Sequence, residues 1–190
     1  MKILKYLAIS TLLTLSFYAQ AEIVGGESQM YFSIDVGSAE TKDSFWKDGG
    51  FSGKGDDTGY KAAFGYVFEG NTFALEGYYA NFGEPVVAQA GTDSATTEID
   101  GFGFDMIARS EGDFQVFGSL GLFLFNLDQK VNGVSFYDDS GLGYKLGIGV
   151  SYRFTELFGM RASYDYYTME DEFDDSYDVG MVSLGAMFHF

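Results

Sequence analysis

The sequence predicts an all-β fold, an eight-stranded antiparallel transmembrane β-barrel, on three observations. The first is the stretch Gly141 to Phe154, GLGYKLGIGVSYRF. It sets Leu142, Tyr144, Leu146, Ile148, Val150, Tyr152 and Phe154 on one parity and Gly143, Lys145, Gly147, Gly149, Ser151 and Arg153 on the other. Period 2 is the signature of a strand. Strands of soluble sheets run to roughly 5 to 6 residues, whereas crossing a bilayer takes about 9 to 11 tilted ones. The apolar parity would therefore meet lipid, and the Gly, Lys and Arg parity a lumen. The second observation is that such segments recur eight times, joined by connections that alternate between long and short. The third is composition: 26 Gly, 14 Tyr and 20 Phe with a single Pro suit strands and aromatic girdles better than helices.

Residues 1–21 read as a secretory signal peptide. Lys2 and Lys5 form a basic end, Leu7 to Phe17 an apolar run, and Ala19-Gln20-Ala21 a small-x-small cleavage site. The barrel domain is then expected over 22–190. Beyond residue 21 no run approaches the roughly 18 apolar residues of a helical span.

The first strand is expected over Tyr31 to Ser38, with Phe32, Ile34 and Val36 outward and Ser33, Asp35 and Gly37 inward. A long polar loop covers 39–57. The second strand, Thr58 to Phe68, turns Tyr60, Ala62, Phe64, Tyr66 and Phe68 outward and Lys61, Ala63 and Gly65 inward, and Glu69-Gly70-Asn71 makes a tight turn. Thr72 to Ala80 forms the third strand, with Phe73, Leu75 and Tyr79 opposite Ala74, Glu76 and Tyr78. A second loop, 81–97, holds Pro85 where no ladder donor is needed.

Glu98 to Arg109 is the fourth strand. It faces Phe102, Phe104, Met106 and Ala108 outward and Gly101, Gly103, Asp105 and Arg109 inward, before a short turn at 110–113. The fifth, Phe114 to Leu127, carries large apolar residues on both parities; Val116, Leu120, Leu122 and Leu124 are taken as outward. Loop 128–140 leads to the sixth strand, already described, and 155–159 turns the chain. In the seventh, Met160 to Tyr167, Ala162, Tyr164 and Tyr166 face out and Arg161, Ser163 and Asp165 face in. An acidic loop at 168–176 precedes the eighth, Tyr177 to Phe190. Eight strands with long connections outside and short turns on the periplasmic side satisfy the barrel rule. A soluble lipocalin-like barrel is excluded by its own interior, since charges on the inner parity could not line a greasy cavity unpaired.

Nine charges fall on that inner parity: Asp35, Lys61, Glu76, Asp105, Arg109, Lys145, Arg153, Arg161 and Asp165. An eight-stranded barrel is just wide enough for side chains to fill, so these are expected to pair and plug the lumen. Lys61 with Glu76 is the expected pair, read as lying at similar heights on strands joined by a short turn. Arg153 and Arg161 are expected to meet Asp105 or lumen water.

Several chemistries are set aside. With no Cys there is no disulfide or thiolate site. The net charge of -17, about -19 without the signal, repels nucleic acid. His189 is the only histidine and no Ser–His–carboxylate set assembles around it, so no enzyme is expected. The pairs Asp138-Asp139 and Asp174-Asp175 are exposed loop carboxylates with ordinary acidity. The run from Asp128 through Lys130 and Asn132-Gly133 to Asp139 has a calcium-loop spacing, but Lys130 replaces an oxygen ligand. No metal or cofactor is expected.

The segments FALEGYYANFG (73–83), FGSLGLFLF (117–125), GYKLGIGVSYRF (143–154), GMRASYDYY (159–167) and LGAMFHF (184–190) together resemble the small outer-membrane β-barrel family. That family includes the OmpA transmembrane domain and the opacity-type proteins of the porin family. The resemblance implies a location in the cell outer membrane of a Gram-negative cell, with lipid and lipopolysaccharide as neighbours. It also implies that the terminal strand, with Leu184, Ala186, Phe188 and Phe190 on one parity, is the signal read by the barrel assembly machinery. Many relatives continue into a peptidoglycan-binding domain; this sequence ends at Phe190, so that role is not expected. The expected function is a monomeric structural or surface-interaction barrel with an unknown surface ligand. The alternatives are a narrow channel for small or apolar solutes and, third, a lipid-modifying enzyme.

Overall fold

The computed structural model describes residues 29–48, 51, 53–70, 72–91, 93–170 and 176–190. The signal segment, Asn71 of the first tight turn and 171–175 of the acidic loop, with the Asp174-Asp175 pair, lie outside the described residues. The elements in order are β1 (Gln29–Asp43), a helical turn α1 (Ser44–Asp48), β2 (Lys54–Val67), β3 (Phe73–Asn81), β4 (Val86–Ala90) and β5 (Asp93–Arg109). They continue with β6 (Phe114–Val131), β7 (Val134–Arg153), β8 (Phe158–Glu170) and β9 (Ser176–His189). All pairings are antiparallel. β1 bonds to both β2 and β9, and β3 bonds to β5, so the sheet closes into an eight-stranded barrel with no free edge.

β4 departs from the expected plan. The stretch 81–97 is irregular only over 82–85; beyond it β4 hairpins onto the upper end of β5, Ala90 facing Asp93 and Ala88 facing Ala95. Gly83, at φ 78°, and Pro85 break the strand, and β4 then runs beside β5 where β3 stops. Of the other expected loops, most of 39–57 and 128–140 is strand. Asn132-Gly133, with φ of 51° and 76°, is a two-residue hairpin turn between β6 and β7. These extensions hide from a hydropathy pattern because both faces are polar above the membrane: Thr41 and Asp43 are buried inward while Lys42 faces out.

The lipid face follows the predicted parity. Phe104, Leu120, Leu146, Ile148 and Val182 stand exposed side by side, Phe104 at 71%. Such a band would drive aggregation in water and is matched to hydrocarbon. Rings bracket it at both ends. On the periplasmic side Tyr66, Phe68, Phe154, Phe158 and Phe188 pack edge to edge or stacked, the Tyr152–Phe154 centroids 4.9 Å apart. On the other, Tyr60, Tyr79 and Phe102 form a second girdle. In β6, Val116, Leu120, Leu122 and Leu124 do face out, with Phe123, Phe125 and Leu127 fully buried inside.

Inward glycines make the lumen possible. A Cβ at Gly65 would strike the Tyr31 ring, one at Gly103 the Tyr78 ring, and those at Gly121, Gly147 and Gly185 the carboxylates of Asp105, Asp165 and Asp35. Each large inward side chain thus lies flat over a glycine of a neighbouring strand.

Candidate functional site in the barrel lumen

The buried charges form a belt at mid-height. Arg161 of β8 donates Nε to Asp35 Oδ1 at 2.7 Å and Nη2 to Asp35 Oδ2 at 2.6 Å, a two-pronged bond to β1. Its Nη1 also donates to Glu76 Oε2 on β3 at 2.6 Å, across the lumen from β8. Tyr31 Oη donates to the same Glu76 oxygen at 2.7 Å. Lys61 of β2 reaches Asp165 Oδ2 at 2.7 Å. Lys145 of β7 bonds Asp105 of β5 and lies 3.0 Å from the other oxygen of Asp165. All seven residues are buried, none more than 4% exposed.

This pairing differs from expectation in partners. Lys61 does not pair with Glu76: the β2–β3 register sets Lys61 opposite Ala80 and Glu76 opposite Gly65, four residues lower. Arg161 meets Asp35 and Glu76, and Asp105 is taken by Lys145. Arg109 and Arg153 stand apart from the belt, at the periplasmic ends of β5 and β7. His189 ends β9 on the lumen side, its ring 5.9 Å from that of Tyr31.

Above the belt the lumen is apolar. Tyr78, Phe82, Phe123 and Tyr167 interlock, with centroids 4.7 Å apart for Phe82–Tyr167 and 5.1 Å for Phe123–Tyr167. Lys145 Nζ lies 5.1 Å from the Tyr78 centroid, so the plug caps the cations through their rings. Met169, Val179 and Met181 complete this layer. Higher still, buried Asp43 accepts from Thr97 Oγ1 and Gln129 Nε2, both at 2.8 Å. Sequence reasoning missed the plug, although its signal was present: the double apolar parity of β6 means one set fills a lumen. The Asp43 cluster fell in stretches read as loops.

Outside the membrane, Lys130 is held by Glu98 at 2.7 Å and Glu84 at 3.2 Å. Chiefly the hydrogen bond to Glu98 raises its pKa. The stretch with calcium-loop spacing is the β6–β7 hairpin built on that lysine and on Asn132, which accepts from Ser94 N and donates to Asp93. Backbone N–H groups of Glu84 and Thr58 hold the Asp57 carboxyl below its usual range. At the other end Phe190 N donates to Met30 O at 3.0 Å and its ring packs near Phe64, while Leu184 and Phe188 face outward and Ala186 is half-buried.

The closed ring, girdles and filled lumen are shared with known proteins. Neisserial surface protein A superposes with a TM-score of 0.66 at 17% identity, covering 85% of this chain and 97% of its own. The attachment invasion locus protein Ail of Yersinia pestis, solved with the heparin analogue sucrose octasulfate, gives 0.58 at 20% identity, covering 86% and 99%. The N-terminal barrel domain of Pseudomonas aeruginosa OprF gives 0.52 at 19%, covering 83% and 97%. No curated protein sequence matches the chain. The sequence model of the outer membrane protein beta-barrel domain matches residues 7–190, nearly the whole chain. The chain therefore belongs to the outer-membrane β-barrel family and resides in the cell outer membrane.

Proposed function

We propose that the protein is a closed, non-conducting monomer, without enzymatic activity, that acts as a structural or surface-interaction barrel through its extracellular end. The observation that carries this reading is the lumen filling: Arg161, Lys61 and Lys145 locked to four buried carboxylates beneath the Tyr78–Phe82–Phe123–Tyr167 plug. An ion entering the lumen would have to displace interlocked rings and break charge pairs that have no water to replace them. The refolded, unmodified protein is expected to hold a planar bilayer silent. Steady large conductance would remove the plug and favour a narrow channel instead.

The surface ligand is expected to be cationic. Glu40, Asp56, Asp57, Glu84, Asp138 and Asp139 crowd the extracellular rim, where Lys130 is already engaged. The sulfated polyanion bound in the Ail structure would be repelled from such a rim. A screen of basic against sulfated ligands, with the loops deleted one at a time, tests this; preference for the sulfated set contradicts it. His189 lies at the periplasmic end, far from any outer-leaflet lipid, which supports the non-enzymatic reading, and hydrolysis of labelled lipid would overturn it.

For assembly, the mature chain is taken to begin near Glu22 and the terminal strand to be the segment recognised by the assembly machinery. Phe190→Ala should slow insertion while export proceeds. Normal levels of heat-modifiable barrel for that variant would contradict the role.

A further inference from the structure

The lumen charges separate by height, and the separation leaves a second site below the belt. Lys61, Lys145 and Arg161 engage all four inward carboxylates. Arg109 and Arg153 are thereby left with each other at the periplasmic mouth. Arg109 ends β5 and Arg153 ends β7, and each lies in the other's positive field. His189, 5% exposed, lies within reach of both, and these two arginines are the charges that act on it. A Cβ on Gly159 of β8 would touch the Arg153 backbone at 3.5 Å and His189 Nε2 at 3.6 Å, so the two groups flank one bare glycine.

Two atoms of this group are hidden from solvent and lack a hydrogen-bond partner among the described residues: Arg153 Nε and His189 Nδ1. Glu156, in the adjoining β7–β8 turn, is exposed and forms no ion pair with Arg153. A hollow of about 20 Å³ opens between Tyr31, Arg109, Gln115, Ser151 and Arg161, room for one water-sized group. Like charges gathered in a low-dielectric mouth, with buried donors unmet, call for a counter-ion. The planar fork of a guanidinium matches an oxyanion.

We propose that Arg153, Arg109 and His189 form a binding site for a phosphate-class oxyanion that enters from the periplasmic side. The hollow takes one oxygen, and the rest of the ion sits at the mouth against Arg153, which is partly exposed. The same chemistry is offered by free phosphate and by the headgroup of an inner-leaflet phospholipid.

The test uses the full barrel refolded in phosphate-free neutral detergent, with the Arg153 Nε–H and His189 ring signals followed by NMR. Inorganic phosphate should shift both saturably. Arg153→Gln should weaken binding by about tenfold or more, the loss of one charge-assisted hydrogen bond, and Arg153→Lys should restore part of it. Lys130→Gln, on the extracellular rim, should leave binding unchanged. A short-chain phosphatidylglycerol that saturates the signals at lower concentration than phosphate identifies the headgroup as the source; the reverse order identifies the free ion. The proposal is overturned if neither probe shifts the signals. It is overturned equally if Arg153→Gln, folded by heat-modifiability, binds phosphate as the unmodified protein does. A shift of the Arg153 signal in Glu156→Gln before any phosphate is added also overturns it, since the chain's own carboxylate would then be the counter-ion.

Discussion

Arg161 is the residue on which most of the belt depends, because one guanidinium holds two carboxylates from strands that do not touch each other's neighbours on β8. Arg161→Ala leaves Asp35 and Glu76 buried without a cation, and removing one partner of a buried pair costs about 3 to 5 kcal/mol. Glu76→Ala should cost less, since Arg161 keeps its double bond to Asp35 and only the Tyr31 hydroxyl loses its acceptor. Urea refolding titrations in lipid measure both, and equal losses would contradict this assignment. The inward position of Arg161 was legible from Ser163 and Asp165 two and four residues on. Its partners were not, because parity says which side chains share the lumen and nothing of how strands stagger around it. The mistaken Lys61–Glu76 pair is the same gap: four residues of register decide it.

At the scale of an element, β7 shows how far a strand outruns its membrane-spanning part. It runs from Val134 to Arg153, and only the portion from Leu142 onward carries the unbroken apolar parity. A cation at Ile148 would sit within hydrocarbon, where about 2 to 4 kcal/mol is expected, whereas one at Val134, on the hairpin tip, should cost about 0 to 1. Ile148→Lys and Val134→Lys, compared in the same refolding assay, should differ by that margin; similar values would place the membrane elsewhere on the strand. Gly147 is a poor site for an inward charge, since a side chain there meets Ser119 and Asp165. The bilayer-spanning parts of all eight staves were readable because lipid imposes alternation on them. Water imposes none on the extensions, so β4, the tops of β1 and β2, and the β6–β7 hairpin passed for loops.

For the whole molecule, eight strands, their order, their outward faces and the outer-membrane location could all be read before any coordinate. The internal layering could not. A mouth with two arginines, an ionic belt, an aromatic plug and the Asp43 cluster stack along the axis only once stagger brings distant segments to one height. Ring closure carries a further consequence for how such a chain comes to be folded. Tyr31 faces His189, so the pairing that abolishes the last edge joins residues almost the full chain apart. Contacts of that sequence separation repay their loop entropy late. Until β9 has left the ribosome and met β1, every intermediate is an open sheet with two unpaired edges, and no shorter barrel exists on the way. Folding should therefore follow the arrival of the last strand rather than the order of synthesis, and a chain cut within β9 would yield an edge seeking a partner instead of a smaller pore.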